Sequence, residues 1–265
     1  MVTQSQDGPA PAPRPAQQGV YVYGILPGDI ELEPGGTGVG DPPGEIRMVR
    51  HGELAALVSD VDLDRPLGRP EDLLTHEELL DSSAAEVPVL PLRFGSVAAS
   101  DEVVAAELLA AHHDEFASAL RRLDGHAEFV VRGRYDRDAI LREVLMENPR
   151  AAQLCEQVQG TSPDSLRDLR MELAEIVVDA IAAKREQDTR ATGDAAAGLV
   201  VRSAVRQPAH ELDAVYIAFL VPVDKADELE RALTRLARDW RGRVELRLIG
   251  PLAPYDFADT EPETR

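Results

Sequence analysis

Six histidines, one cysteine and a few polar residues set inside apolar runs are the side chains with which this chain could attempt chemistry. His51, His76, His112, His113, His126 and His210 form no HExxH pair, and Cys155 has no partner at zinc-finger spacing, so no metal site is expected. Adjacent His112 and His113 would point about 100° apart on a helix, poor geometry for shared ligation. Asp60, Asp62 and Asp64 in SDVDLDRP alternate as calcium ligands can, but an EF-hand counted from Asp60 would need Gly and Glu at its sixth and twelfth places. Arg65 and Glu71 stand there, with no residue for the sharp turn. The glycine-rich GGTGVG at 35–40 runs into DPPG and not into a helix, so the helix N-terminus that holds a pyrophosphate is missing and no cofactor is expected. Ser96 in RFGSV lacks the GxSxG elbow. An enzyme would have to gather His76, Arg93 and an acid such as Asp60 or Glu77 in one pocket, and no spacing in the sequence does so. Arg93, between Leu92 and Phe94 in an apolar run, is the most informative polar residue. Buried, its charge must fork onto a carboxylate or backbone carbonyls; otherwise it reaches an edge where a partner binds.

The elements that would position these residues belong to a soluble α+β chain. Its 265 residues suffice for two modest domains, and aromatics at 4% leave the cores to Leu, Val, Ile and Ala. Forty-eight acids against 28 bases give a net charge of -20, which repels nucleic acid and anionic lipid. The excess is uneven: residues 29–81 hold 14 acids and four arginines, whereas 224–247 hold six acids and seven bases. The longest apolar stretch, AVYIAFLVPV, is about half of the roughly 20 residues that span a bilayer, so no bilayer insertion is expected. A lone cysteine and a Pro/Ala/Gln-rich start without a signal pattern point to the cytoplasm and to a flexible tail over 1–18.

VYVYGIL at 20–26 reads as a strand, 33–45 as a loop, and 46–50 with 53–61 as a hairpin turning at His51-Gly52. A helix is expected from Pro70 to about Ala85, a broken strand over 87–97, a long helix from Ser100 to about Leu123, and a strand over 128–135. An N-terminal α+β domain is thus placed at 19–136, a C-terminal α+β domain at 137–258, and a flexible end at 259–265. In the second domain a helix near 137–147 stops at Asn148-Pro149. Leu166, Leu169, Leu173 and Ile176 then begin a heptad-like seam on a helix over 164–187. The expected cover for that seam is 195–207 folded back as a helical hairpin; the alternative is another protein. A central strand over 212–224, a helix over 225–240 and a half-solvated strand over 243–250 complete the pattern.

VYVYGIL, HEELL followed by VPVLPLRFGSV, and the late pair VYIAFLV and LRLIGPLAPYDF resemble, in order and spacing, the gas vesicle protein F and L (GvpF/GvpL) family over roughly 20–258. The resemblance implies an N-terminal modified ferredoxin-like domain and a C-terminal ferredoxin-like domain with an added helical hairpin. It implies a non-enzymatic accessory or minor structural protein of gas vesicles, partnered by the hydrophobic shell protein and other accessory proteins. The family signature falls on Tyr23, Gly24, His76, Pro91, Arg93, Phe94, Gly95, Gly250, Pro251, Pro254, Tyr255 and Phe257. Leu252 stands where the family commonly has tryptophan. For the terminal segment the residues themselves suggest a lid: Gly250 releases the strand, Pro251 and Pro254 stiffen the chain beyond it, and Tyr255 and Phe257 anchor it.

Overall fold

The computed structural model describes residues 18–32, 35–160 and 166–258, without the side chains at 159, 160 and 166. The expected tail up to residue 17, the end at 259–265 and the Leu166 side chain of the seam lie outside it. The chain divides into two compact units. One ends at Glu78 and resumes over Leu92–His113; the other takes Leu79–Pro91 and everything from Asp114.

The first unit is built on strands β1 (Gln18–Pro27), β2 (Arg47–His51) and β3 (Leu54–Asp62). They pair antiparallel in the order β2-β3-β1, and the β2–β3 hairpin turns at Gly52, whose φ of 59° suits glycine. The register of β1 on β3 slips between Val22 and Gly24, so Tyr23 is the extra residue of a bulge. Helix α1 (Pro70–Ala84) starts as expected, with Pro70 at its first position. At its third position Asp72 is buried and accepts from the N–H groups of Gly40, Gly68 and Arg69. Burial alone would raise its carboxyl, but those hydrogen bonds and the Arg69 charge outweigh it and hold the group below the usual range.

After the two-residue strand β4 (Leu90–Pro91) the chain docks on β1 through Leu92 N–H to Tyr23 O, Val22 N–H to Ser96 O and strand β5 (Val97–Ala98). Between these attachments residues 93–96 form a turn. The single long helix expected from Ser100 is in fact three pieces. Ser100 caps α2 (Asp101–Val103), a π-helical stretch runs over Val104–Ala110, and α3 (His113–Leu123) follows a break. The π-helical stretch packs on β2 and β3.

The second unit holds a four-stranded antiparallel sheet in the order β7-β8-β6-β9, from β6 (His126–Tyr135), β7 (Arg202–Val205), β8 (Asp213–Pro222) and β9 (Val244–Leu252). The reading of 19–136 as one module is corrected here: β6 pairs with β8 and β9. Ala127 to Val131 are buried without interruption, as befits a central strand with partners on both sides. Phe129, Val131, Phe219 and Val221 on one sheet face form a core with Ile140 of α4 (Arg137–Glu147) and Leu229 and Leu233 of α7 (Ala226–Asp239).

Asn148-Pro149 ends α4 but also begins a helix absent from the sequence reading, α5 (Pro149–Gly160). The Asn148 side chain accepts from Ala151 N–H, and Pro149 occupies the first turn. Helix α6 (Leu166–Ala195) lies on α5, joined by the fork from Arg150 to both Glu172 oxygens at 2.7 and 2.8 Å. The seam of Leu169, Leu173 and Ile176 is therefore half-buried by the preceding helix. The expected return helix over 195–207 is not formed: α6 ends at Ala195, Gly198 at φ 77° lies in the turn that follows, and 202–205 become edge strand β7.

Candidate functional site

The glycine-rich loop lies on Tyr23. Gly38 N–H donates to Gly44 O, and Ile46 N–H to Gly36 O, folding 36–46 flat onto β3. A Cβ on Gly38 would collide with the Tyr23 hydroxyl, and one on Gly44 with Asp60 O. These glycines serve close backbone packing. The buried Tyr23 hydroxyl accepts from Val39 N–H at 2.8 Å and bonds Ser59 Oγ at 2.8 Å. Burial raises its pKa, against the Ser59 and Val39 hydrogen bonds.

Beside it Tyr21 and His76 complete a closed aromatic cluster. The Tyr21 hydroxyl accepts from Gly95 N–H at 3.0 Å and is 3.0 Å from His76 Nδ1, so its own proton can go to that nitrogen. Burial pushes Tyr21 up to about 12, and burial lowers His76 against a hydrogen bond to the Leu92 backbone. The imidazole is thus a neutral, 1% exposed acceptor. Phe94 closes the cluster edge-on to Tyr21 and His76, with ring centroids 5.8 and 5.5 Å away.

Of the signature residues in this unit, Tyr23, His76, Phe94 and Gly95 are brought together, and Gly24 follows the bulge. Pro91, buried at the start of the docked segment, belongs to the second unit. Arg93 departs from the expected buried fork. The Ser96 N–H and Oγ both bond to Arg93 O, and Gly95 at φ 88° turns the chain. Arg93 therefore sits exposed at the tip of a turn, with no hydrogen-bond or ion-pair partner for its guanidinium among the described residues. His76 and Arg93 do not face a common space, Asp60 is paired to Arg47, and Glu77 is exposed. Among the described residues no three His, Cys, Asp or Glu are placed to hold a metal ion.

The C-terminal signature residues act in the second unit. Gly250 has φ 142°, and a Cβ there would lie 2.7 Å from Phe129 Cδ1 and 2.9 Å from Glu128 O. Beyond Pro251, Ala253 N–H donates to Asp81 Oδ1 at 2.8 Å, and Ala253, Pro254 and Phe257 are buried. Tyr255 is 37% exposed, so of the two expected aromatic anchors Phe257 is the one that is buried.

Sequence reasoning missed the charged group that holds this terminal segment. Glu128, 1% exposed on β6, accepts from Arg206 at 2.8 Å through one carboxylate oxygen and from Asp256 N–H at 3.0 Å through the other. Arg206 also donates to Asp256 Oδ2 at 2.5 Å and to the Tyr216 hydroxyl at 3.0 Å. Burial pushes Glu128 up to about 7; the Asp256 N–H and Arg206 oppose the shift, while the Asp256 carboxylate adds to it. The signal was available in the same form as for Arg93, a charge at the head of the apolar run EFVV. A second missed network joins Arg243 to Glu143 and Asp188, Lys184 to Glu143 and Glu147, and the Tyr135 hydroxyl to Asp188 at 2.6 Å.

Helix α6 carries apolar surface of a different kind. Met171, Ala174, Val178 and Ala182, spaced three, four and four, are exposed in line beside the half-buried seam. Val178 and Ala182 border a groove of about 430 Å³ shared with Leu141, Val177, Ile181 and Leu212.

A family model described as "Gas vesicle synthesis protein GvpL/GvpF" matches residues 19–259. The chain is 33% identical over 243 residues to gas vesicle protein F of Streptomyces sp. (strain CB03234), covering 90% of this chain and 99% of that relative. To gas vesicle protein L of the same organism it is 30% identical over 278 residues, covering 92% and 94%. Among solved structures, that of GvpF from Anabaena sp. PCC7120 superimposes with a TM-score of 0.75 at 22% identity, covering 91% of this chain and 98% of the other. GvpF from Microcystis aeruginosa gives 0.73 at 20%, with 91% and 99% covered. Those two likenesses bear on the fold, and the family match spans the LPLRFG and GPLAPYDF segments together. By that match and by its Streptomyces relative, this chain belongs to the gas vesicle synthesis protein GvpL/GvpF family.

Proposed function

We propose that this protein is a non-catalytic accessory or minor structural component of gas vesicle assembly, holding the hydrophobic shell subunit, or another accessory protein, through apolar surface. Family membership supplies the process. The observation that carries the mechanism is the exposed stripe of Met171, Ala174, Val178 and Ala182, with Met171 and Val178 54% and 64% exposed on a 30-residue helix. Aligned apolar side chains left in water on one helix face suit a partner of like character. Leu169, Leu173 and Ile176, half-buried beside it, extend the contact if the α5–α6 pair opens. The acid-rich 29–81 region would keep such a complex in solution. Exposed Arg93 and Tyr255 are the signature residues placed to meet a partner, while the remainder support the fold.

The second unit reads as ferredoxin-like with α5–α6 as its added helical hairpin. In favour stands the β-α-β-β-α-β order of β6, α4, β7, β8, α7 and β9. For the first unit the same reading has its antiparallel sheet in support.

The test is co-purification from cells expressing the complete set of gas vesicle genes, with Met171→Asp/Val178→Asp against the parent chain. Expected is loss of at least about tenfold of the shell subunit, at an unchanged melting temperature because both side chains are exposed. Retention of the shell subunit by the folded variant would overturn the assignment to this stripe.

A further inference from the structure

The outer face of the second sheet changes character along β6. Glu128, Val130, Arg132 and Arg134 alternate onto that face, opposite the Phe129–Val131 core. Glu128 and Val130 are covered, whereas Arg132 and Arg134 are exposed. Arg247 of β9 lies directly across from Arg132, a like-charge pairing that weakens a sheet. Glu245, across from Arg134, is already taken by the Arg247 guanidinium at 2.6 and 3.0 Å. In a chain with 48 acids, neither Arg132 nor Arg134 has a carboxylate partner among the described residues. Nor has Arg241, which with Arg134 borders a groove of about 580 Å³; Arg132, Arg134 and Arg247 border a second of about 390 Å³. Arg132 lies over the Tyr216 ring, 4.5 Å from its centroid, so the ring steadies the guanidinium while its N–H fork stays open.

We propose that this arginine face binds an acidic, extended segment of a partner polypeptide. Carboxylates on alternate residues of an extended chain recur about every 7 Å, the repeat of Arg132 and Arg134 along β6, and arginine takes carboxylate as a two-pronged pair. Edge strand β9, paired among the described residues with β6 alone, offers a row of backbone groups beside the patch for such a segment. A net charge of -20 opposes every polyanion at a distance, so the preference for a polypeptide over nucleic acid rests on strand pairing along β9. The arginines lie on the sheet and not on the α6 stripe, although the groove beside that stripe and the smaller arginine groove share Ala209 and His210, and the test needs no gas vesicle component.

The probe is a fluorescein-labelled decapeptide of alternating Glu and Ser, titrated with the full chain by anisotropy and compared with a decathymidylate of equal length. Binding of the peptide is expected to weaken about tenfold or more from low to high salt, and to fall at least about tenfold in Arg132→Glu/Arg134→Glu. Arg121→Glu/Arg122→Glu, exposed elsewhere, should leave it unchanged. Arg134→Glu alone, at an exposed side chain without an ion pair among the described residues, guards against misfolding of the double variant. Absence of peptide binding, binding indifferent to the 132/134 change, or tighter binding of the oligonucleotide would each overturn the proposal. So would sedimentation showing that the change breaks a self-associated form of this chain.

Discussion

Apart from Asp72 at the start of α1, the two units bury their main polar clusters in opposite ways. In the first, Tyr21, Tyr23, Ser59 and His76 make a neutral cluster whose hydrogen bonds close on backbone N–H groups. In the second, Glu128, Arg206 and Asp256 make a charged one, two carboxylates on a single guanidinium. Neutral hydrogen bonds fix geometry at modest energy and, His76 apart, respond weakly to pH. A buried ion group is strong only while complete, and its balance shifts with protonation.

Breaking the charged cluster should have the largest effect. Arg206→Met leaves Glu128 buried beside Asp256 without a countercharge, at about 3–5 kcal/mol above neutral pH. Glu128 can take a proton, so the loss should shrink toward pH 6; a urea titration giving equal losses at pH 6 and 8 would remove the charged description.

The pH profile sharpens the contrast. Glu128 rises from 4.5 to about 7 on folding, so its contribution is full below about 4.5 and is lost as pH rises through about 7. That loss is on the order of 3 kcal/mol, and Glu128→Gln should flatten it. His76 is lowered from 6.5, so its contribution is full above 6.5 and is lost as pH falls through the folded value. Hydrogen exchange should therefore show β6 amides loosening toward alkali and β1 amides toward acid; the same slope for both strands would erase the distinction.

Tyr23→Phe strands Val39 N–H and Ser59 Oγ in a dry site and should lower stability by about 1–3 kcal/mol at every pH from 5 to 8. Arg93→Ala stands at the bottom of the scale, within about 0.5 kcal/mol in the same denaturation experiment, because the side chain is exposed. Unchanged stability with weakened co-purification of accessory proteins would mark Arg93 as a contact residue; a large loss of stability would return it to the fold.

How much of this is legible in the sequence depends on whether one segment carries the whole signal. The β2–β3 hairpin, α1, β8 and α7 follow from local periodicity and caps, and are read within a residue or two. Helix α5 escapes because Pro149 stops one helix and starts the next. The π-helical 104–110 is composed of good helix formers, and nothing in VAAELLA marks it. The placement of β6 is a pairing decision made by β8 and β9, invisible in EFVVRGRY itself. At the sites, Arg93 reads as a buried charge because its turn depends on Gly95 and Ser96. Glu128, Arg206 and Asp256, far apart in sequence, are joined only by the sheet.

Strand β6 has a further consequence for how the protein is made. Phe129 is matched with Phe219, about 90 residues later. At roughly 5–20 residues per second, the ribosome leaves this strand without its mate for several seconds or more. Helices α4, α5 and α6, closed by near neighbours, can form meanwhile and shorten the span to be bridged. The nascent chain therefore carries a bare, sticky ribbon through much of its synthesis, and that interval is when a chaperone would matter most.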